Sequence, residues 1–284
     1  MIDLHVHTTC SDGTLSPTEV VALAAGLGLS AVAITDHDTV DGLEEALAAG
    51  PRYGIEVVPG VEINLEHGQI TLDLLGYFLR GLPDTALRGC LAELCAYRDE
   101  RNARILERLG ELGLPVQPAE LAEIAGGGAV GRPHIGEAMR RRGYVTSISD
   151  AFARYLRRGA PAFVDRRRLT LTESVRLLQR TGGLAVIAHP GIIRTDEAGL
   201  AAIVSEAAAL GVAGLECWHP DHSAEMVARC LDLARGNGLV ATGGSDYHGT
   251  IKPDAHLGRG AGGAPIADDV LEALKQRAAQ IAAG

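Results

Sequence analysis

The chain has 284 residues, which is enough for one large α/β domain or for one domain that carries a smaller insertion. It is 46% hydrophobic, 22% charged and 4% aromatic, and its formal net charge is −10. The acidity argues against duplex nucleic acid as a primary partner, because phosphate binding favours basic surfaces, and the scarcity of aromatic residues argues against stacking surfaces for single strands.

Short strands alternate with helices at the start of the chain. Ile2–Val6 alternates like a strand, and Ser16-Pro17-Thr18-Glu19 has the pattern of a capping box, which predicts a helix over 17–28. A second helix is predicted over 41–49, ending before Gly50. Short apolar runs of the kind that form buried strands follow at Ala31–Thr35, Ile55–Val58 and Ile70–Phe78.

The alternation stops after the fourth strand and resumes later. Apolar residues at helical spacing predict helices over 84–112, 118–125, 133–142 and 148–158. The remaining elements are a helix over 170–181, a last helix over 268–282 and three strands, Leu184–Ala188, Ala213–Cys217 and Leu239–Thr242. This order predicts an α/β barrel of about seven parallel strands over 1–83 and 162–284, interrupted by a small helical insertion, or cap domain, over 84–161.

The cysteines and the apolar segments indicate a cytoplasmic protein. The five cysteines are odd in number and form no Cys-x-x-Cys pair, so we expect reduced thiols. The N-terminus has neither the basic region nor the apolar region of a signal peptide. No apolar run approaches the length of a membrane span, so we expect no contact with a membrane.

Histidines and carboxylates lie at the carboxyl ends of nearly all the predicted strands. His5 and His7 are two residues apart on the first strand and therefore point to the same side. Asp12 lies in the loop that follows the first strand. The others lie on or after later strands: Asp36, His37, Asp38, Glu62, Asp73, His189, Glu216, Asp246 and His248. A β/α barrel gathers such residues at one end, where active sites form.

Any one of these motifs is weak evidence alone, since an isolated Ala-His-Pro-Gly is more often a turn. Their repeated placement at strand ends is hard to obtain by chance and predicts a metal cluster. Mixed His and carboxylate ligands suit Mn²⁺, with Zn²⁺ or Fe²⁺ as alternatives, and the number of candidates fits two or three ions. Paired ions activate water and stabilise both oxygens of a phosphoryl displacement.

These motifs resemble the polymerase and histidinol phosphatase (PHP) family. The similarity spans essentially the whole chain and is strongest to the small stand-alone phosphoesterases, whose barrel carries a helical insertion. It implies a distorted (β/α)7 barrel and a trinuclear site, often with Mn²⁺. The matching motifs are HxHTxxSDG at His5–Gly13, TDHD at Thr35–Asp38, GVEI at Gly60–Ile63, AHPG at His189 and GSDYHG at Gly244–Gly249.

By position, the resemblance implies three sets of metal ligands. One set is His5, His7, Glu62 and Asp246; a second is Glu62, Asp73 and His189, with Glu62 bridging; the third is Asp12, His37 and His248. Asp73 departs from the family, which usually has His at this position. A carboxylate can still bind a metal and would make the site harder and more anionic. The alternative is that Asp73 points elsewhere and one ion binds weakly.

Other residues are candidates for contact with substrate. Arg132 and His134 open a predicted helix inside the insertion, where a helix N-terminus with an Arg suits a phosphate. Lys252 is a second predicted phosphate contact. His222 matches a family His near the active site and is expected to bind substrate. Either His222 or a metal-site carboxylate such as Asp246 would transfer protons.

The alternative for each of these side chains is an ordinary surface or capping role. The run Arg166–Arg168, where the predicted insertion rejoins the barrel, is a further candidate for substrate binding.

The resemblance implies a metal-dependent phosphoric ester hydrolase (EC 3.1), acting by attack of a metal-activated hydroxide on phosphorus. We expect a small phosphorylated substrate, first of all a nucleotide. The corresponding activity would be that of a 3′,5′-bisphosphate nucleoside phosphatase or a 5′-3′ oligoribonucleotide hydrolase. Asp73 leaves open a cyclic phosphodiesterase acting on a phosphoribosyl 1,2-cyclic phosphate. Weaker alternatives are a histidinol-phosphate phosphatase and a non-catalytic PHP module. The oligomeric state is left open.

Overall fold

The structure is a computed structural model that describes residues 1–79, 81–83, 85–126 and 128–283. The chain forms two compact units, one of Met1–Gly89 with Arg168–Gly284 and the other of Cys90–Arg167. The predicted insertion runs over 84–161, and its first residue, Asp84, lies outside the described residues. The assignment of the second unit as a cap domain stays a prediction.

The first unit is built on a mixed sheet. Seven of its strands follow one another in the order β1-β2-β3-β4-β6-β7-β8, and β5 pairs with β3 beside this path. The strands are β1 (Ile2–Asp3), β2 (Ala31–Ile34), β3 (Glu56–His67), β4 (Ile70–Tyr77), β5 (Leu169–Thr170), β6 (Leu184–Ile187), β7 (Gly214–Trp218) and β8 (Val240–Gly243).

The two ends of this path meet beyond β1 and β8. Val6 and Tyr247 form a parallel bridge, and the His7 backbone N–H donates to the Tyr247 carbonyl at 2.9 Å. The predicted α/β fold with a distorted seven-stranded barrel is thereby confirmed.

The sheet is not wholly parallel, and on this point the prediction from the strand rhythm is wrong. β3 continues to His67 and turns into β4 through Gly68 and Gln69, with Gly68 at a φ of +61°. A connection of two residues joins antiparallel strands, because parallel strands need a long crossover. β4 is antiparallel to β3 and to β6. Asp73, in the first half of β4, therefore lies at the end of the sheet where the parallel strands finish.

The helices agree with the predicted ranges to within a few residues. The structure adds α8 and α9, and the predicted helix over 148–158 divides into α6 and a π-helical turn, Phe152–Leu156. The helices are α1 (Pro17–Gly26), α2 (Leu43–Tyr53), α3 (Thr85–Glu111), α4 (Pro118–Ile124), α5 (Arg132–Arg141), α6 (Ile148–Ala151), α7 (Leu171–Arg180), α8 (Glu197–Ala209), α9 (Ala224–Gly236) and α10 (Asp269–Ala283). Among the described helices, none has the length and apolarity that a membrane span requires.

Each unit has its own apolar core. In the first unit, Leu4, Leu75 and Val186 belong to a cluster that α10 also contacts through Leu274. The hydroxyl of Tyr77 lies in this core and donates to the Leu4 carbonyl at 2.8 Å, so its polar atom is not left without a partner. The second unit packs a separate cluster of buried residues that includes Ile105, Leu109, Ile135, Met139 and Leu156. Burial of apolar surface thus stabilises both units separately.

Gly244 offers a test of how closely the first and last strands approach each other. A Cβ at this position would lie 2.1 Å from the Cβ and 2.6 Å from the backbone nitrogen of His5. We expect Gly244→Ala to lower the free energy of unfolding by about 1–3 kcal/mol or more, because the strand ends must move apart. Urea denaturation measures this loss. Gly236→Ala, in α9, is the control, because a Cβ there meets no atom within 4 Å. Wild-type stability of Gly244→Ala would contradict the close packing.

Candidate metal centre

The structure brings all nine predicted metal ligands together in three overlapping groups. The grouping agrees with the predicted one, except that His7 also joins the third group; metal binding itself stays a prediction. Within each group, one nitrogen or oxygen atom of each residue lies within 4.8 Å of those of the others. The groups are His5, His7, Glu62 and Asp246; Glu62, Asp73 and His189; and His7, Asp12, His37 and His248.

Glu62, on β3, is the centre of the cluster and is fully buried. Its Oε2 lies 3.2 Å from Nε2 of both His5 and His7, and 3.1 Å from Nδ1 of His37. Its Oε1 lies 2.9 Å from Nε2 of His189. Burial alone would raise the pKa of Glu62, but His37 and His5 hold that pKa well below its ordinary value. Glu62 is therefore a carboxylate that faces four imidazoles.

Three atoms of this centre converge without making hydrogen bonds. His5 Nε2, His7 Nε2 and Glu62 Oε2 are buried and have no hydrogen-bond partner among the described residues, although each nitrogen lies 3.2 Å from the oxygen. Buried polar atoms without partners are costly and rare. Two imidazole nitrogens and a carboxylate oxygen that face one another in this way form a donor set suited to a divalent cation. The residues present thus fit the metal that the sequence predicts.

Asp12, His37 and His248 form the more open side of the cluster. The His248 Nδ1–H donates to the Asp246 carbonyl at 2.8 Å, so Nε2 is the nitrogen that faces Asp12 Oδ1, 3.3 Å away, and it could bind a cation when the ring is neutral. Burial would raise the pKa of Asp12, but His37 and His248 lower it below its ordinary value. The His7 and His248 rings stack with their centroids 4.0 Å apart, so this group adjoins the first one.

Glu216, in the middle of β7, was not among the predicted metal ligands. It is fully buried, and although burial would raise its pKa, His5 lowers it, so Glu216 is ionised. Oε1 accepts from the His5 Nδ1–H at 3.0 Å, and Oε2 accepts from the His189 backbone N–H at 2.7 Å. The first bond keeps the proton on Nδ1 and leaves Nε2 of His5 free to bind a cation. Glu216 therefore orients two candidate ligands.

Asp36 has a similar supporting position. Its buried carboxylate accepts from the Thr8 backbone N–H and hydroxyl, both at 2.7 Å, and from the Ser11 hydroxyl at 2.6 Å. These bonds hold the loop that carries Asp12. The sequence places Asp36 and Glu216 at the ends of predicted strands but does not distinguish them from metal ligands. The difference lies in the groups that donate hydrogen bonds to their oxygens.

Backbone strain also concentrates in the site motifs. Among the described residues, the non-glycine residues with a positive φ are Asp38 at 53°, His189 at 26° and Asp246 at 49°. Such conformations cost free energy in L-residues and persist where surrounding contacts fix them. The bond from the His189 N–H to Glu216 is one such contact.

Lys252, predicted to contact phosphate, contacts a candidate ligand in the structure. Its ammonium group donates to Asp246 Oδ2 at 2.8 Å and lies 3.6 Å from Asp221 Oδ2. The buried His219 places Nε2 3.4 Å from the same Asp246 oxygen. Burial would raise the pKa of Asp246, but His5, His219 and the other histidines around it hold it well below its ordinary value. An ionised Asp246 can accept a proton but has none to donate.

His222, predicted to bind substrate and donate a proton, has both ring nitrogens bonded to the backbone. Nδ1–H donates to the Cys217 carbonyl at 2.8 Å, and Nε2 accepts from the Gly191 N–H at 3.0 Å. Burial lowers its pKa, so the ring is neutral at pH 7. This geometry favours a structural role next to His189, and the catalytic role stays a prediction.

Arg132 and His134 lie in the second unit, at the start of α5. The His134 ring accepts the Gly131 N–H at Nδ1, 2.9 Å away, and so caps the helix. The Arg132 guanidinium lies over the rings of Phe152 and Phe163, 5.6 and 5.8 Å from their centroids. Their predicted contact with a substrate phosphate stays a prediction.

The sequence has relatives along nearly its full length. Residues 3–125 match the family model of the PHP domain. The chain is 31% identical to a 3′,5′-nucleoside bisphosphate phosphatase of Chromobacterium violaceum, covering 97% of each protein. It is 34% identical to a phosphoribosyl 1,2-cyclic phosphate 1,2-diphosphodiesterase of Eggerthella lenta, over 90% of this chain and 97% of that protein. It is 32% identical to the 5′-3′ exoribonuclease Rnm of Salmonella typhimurium, over 90% of this chain and 88% of that protein.

The fold has a solved counterpart as well. A crystal structure from Bifidobacterium adolescentis, described as a metal-dependent phosphoesterase, matches with a TM-score of 0.81 and 31% identity, covering 97% of this chain and 96% of that one. The barrel, the His/carboxylate cluster and these similarities define a metal-dependent hydrolase of phosphoesters. The chain belongs to the PHP family.

Glu216→Gln tests the orienting role of Glu216. The amide has the same size but only one acceptor oxygen, so an NH₂ group must face either the His5 Nδ1–H or the His189 N–H. We expect divalent metal to bind about 10–100-fold more weakly, as for other groups that orient metal ligands. Titration of chelator-treated protein measures this, with the exposed Glu206→Gln as the matched control. Equal affinity in the two variants would rule the role out.

The histidine cluster also predicts how stability depends on pH. Burial would lower the pKa of His189, but its bond to Glu62 and the charges of Glu62, Asp73 and Asp246 raise that pKa from 6.5 to about 9. The metal-free protein should therefore lose up to about 1.4 kcal/mol of stability per pH unit between pH 6.5 and 9, because the folded state keeps a proton on His189 that the unfolded chain gives up.

Metal binds the neutral imidazole, so the stabilisation added by Mn²⁺ should increase over the same interval. Thermal melts of chelator-treated and Mn²⁺-loaded protein at several pH values test this. The same slope in both forms would contradict it.

Proposed function

We propose that the nine clustered residues hold two to three divalent cations per chain, with Glu62 shared between positions and Mn²⁺ preferred over Zn²⁺ or Fe²⁺. The convergence of His5 Nε2, His7 Nε2 and Glu62 Oε2, buried and without hydrogen bonds, is the observation that carries this proposal. The mixed nitrogen and oxygen donors suit Mn²⁺, Zn²⁺ or Fe²⁺, and the resemblance to a family whose sites often hold Mn²⁺ supports Mn²⁺ as the first choice.

The side chains of the centre prepare it for phosphoester hydrolysis. Divalent cations in such a site supply a bound water of lowered pKa and neutralise charge on the phosphate oxygens. Glu62 contributes a buried carboxylate that stays ionised, and Glu216 keeps His5 in the tautomer that binds metal. Asp246 is a better candidate than His222 to accept a proton, because it is ionised, whereas both ring nitrogens of His222 are bonded to the backbone.

A small nucleotide is the proposed substrate. One relative, which matches along 97% of this chain, is a nucleoside bisphosphate phosphatase, and another is an exoribonuclease, which supports either a 3′,5′-bisphosphate nucleoside or a short oligoribonucleotide. The net charge of −10 supports a small ligand over a long polyanion. Arg132 and His134 stay the candidates for binding the substrate phosphate, whereas Lys252 is already paired with Asp246.

A cyclic phosphodiesterase acting on a phosphoribosyl 1,2-cyclic phosphate is the second candidate. The 34% identity to such an enzyme favours it. A non-catalytic module is disfavoured, because its metal-binding residues would be incomplete. The five cysteines are thiols and not disulfides, which supports the proposed cytoplasmic location.

Activity assays with Mn²⁺ test the proposal directly. We expect hydrolysis of a nucleoside 3′,5′-bisphosphate, followed by chromatography of the products, to be faster than hydrolysis of a phosphoribosyl cyclic phosphate, a short oligoribonucleotide or histidinol phosphate. His7→Ala should lower turnover on the order of 100-fold or more and also lower metal content, since it removes a donor atom from two groups. His67→Ala, outside the cluster, is the control. No hydrolysis of any phosphoester with any divalent metal would overturn the proposed function.

A further inference from the structure

A row of three polar side chains crosses β4, β3 and the start of β5. Asn64 on β3 is the register partner of Asp73 on β4. β5 pairs with β3 in parallel, with Leu169 opposite Leu65, so Arg168, one residue earlier, lies beside Asn64. The three side chains thus come from adjacent strands at the edge of the metal centre. Neither Asn64 nor Arg168 has a role in the cluster as described so far.

Hydrogen bonds fix the direction of this row. Arg168 Nε donates to Asn64 Oδ1 at 3.1 Å, and Asn64 Nδ2 donates to Asp73 Oδ1 at 2.8 Å. A guanidinium group can only donate, so the amide oxygen of Asn64 must face Arg168 and its NH₂ group must face Asp73. Arg168 is 8% exposed, so water competes little for its bond. The Asn64 backbone N–H is held as well, by Asp38 Oδ1 at 3.3 Å.

The two oxygens of Asp73 are consequently different. Oδ1 accepts from Asn64, whereas Oδ2 lies 3.9 Å from Nε2 of His189, within the group that also contains Glu62. An Asp side chain with no such partner could rotate either oxygen toward the cluster or turn away from it. The bond to Asn64 selects one rotamer and leaves one oxygen for a cation.

We propose that Asn64 and Arg168 are positioning residues for the cation position formed by Glu62, Asp73 and His189. Arg168 orients the Asn64 amide, and Asn64 holds Asp73 so that Oδ2 faces the cation. This inference rests on the proposed function, because it requires a metal at that position. The proposal also assigns a structural role to β5, because the pairing of this two-residue strand with β3 places Arg168 beside Asn64. It also assigns a role to the last residue of the run Arg166–Arg168.

Metal binding measures the effect without an activity assay. Chelator-treated wild type, Asn64→Leu, Arg168→Met and the double variant are titrated with Mn²⁺ by calorimetry, and bound metal is counted. We expect one of three ions to bind about 10–100-fold more weakly in each single variant, with the other two unchanged. The double variant should match Asn64→Leu, because Arg168 acts through Asn64. Arg167→Met, an exposed neighbour, should bind all three ions as the wild type does.

The retained ions report whether the barrel is intact. Loss of all three ions together with a lower melting temperature would mean that the row only holds the strands together, which overturns the proposal. Additive effects of the two substitutions would also overturn it, as would unchanged binding in both. If Asn64→Leu does not fold, Asn64→Ser and Arg168→Lys must show the same selective loss of one ion in smaller measure, and unchanged binding in them overturns the proposal.

Asp73→Ala separates this inference from the proposed function. If the wild type binds three ions and Asp73→Ala binds two, the cation position formed by Glu62, Asp73 and His189 exists. Wild-type binding in Asn64→Leu would then refute only the positioning role. If Asp73→Ala binds as many ions as the wild type, Glu62, Asp73 and His189 do not form a cation position, and the positioning role is refuted as well.

Discussion

The buried carboxylate of Glu62 is the constraint to which the rest of the first unit responds. A carboxylate without exposure to water is costly unless positive charge or hydrogen-bond donors surround it. Four imidazoles do so, and they come from segments after β1, β2 and β6. They can meet only if the sheet curls until its ends approach, so the electrostatics of one side chain and the closure of the barrel depend on each other.

The groups around the cluster explain how its geometry is kept. Glu216, Asp36 and the pair Asn64–Arg168 have their polar atoms directed at ligands or at the loops that carry them. Strained backbone at His189 is tolerated because its N–H is bonded to Glu216. Much of the buried polarity of the first unit thus determines the orientation of the candidate ligands.

The sequence predicts the strands, most of the helices and the membership of the cluster, because hydrophobic runs and strand-end residues are local signals. It does not predict that β4 is antiparallel, although the short connection at Gly68 carried that information. It also fails to separate Glu216 from a ligand or to foresee that Lys252 pairs with Asp246. Both depend on which atoms of distant segments meet, and no local pattern encodes that.

The joint between the two ends of the barrel path has a mechanical consequence. His5 and His7 follow the first strand, Asp246 and His248 follow the last, and a backbone bridge at Val6 and Tyr247 joins these two segments. A cation held by His5, His7 and Asp246 would therefore act as a reversible cross-link between the two ends of the barrel path. Unlike a disulfide, it would stabilise only the folded chain, because such a site rarely exists in the unfolded one, and it would come undone with acid or a chelator instead of a reductant.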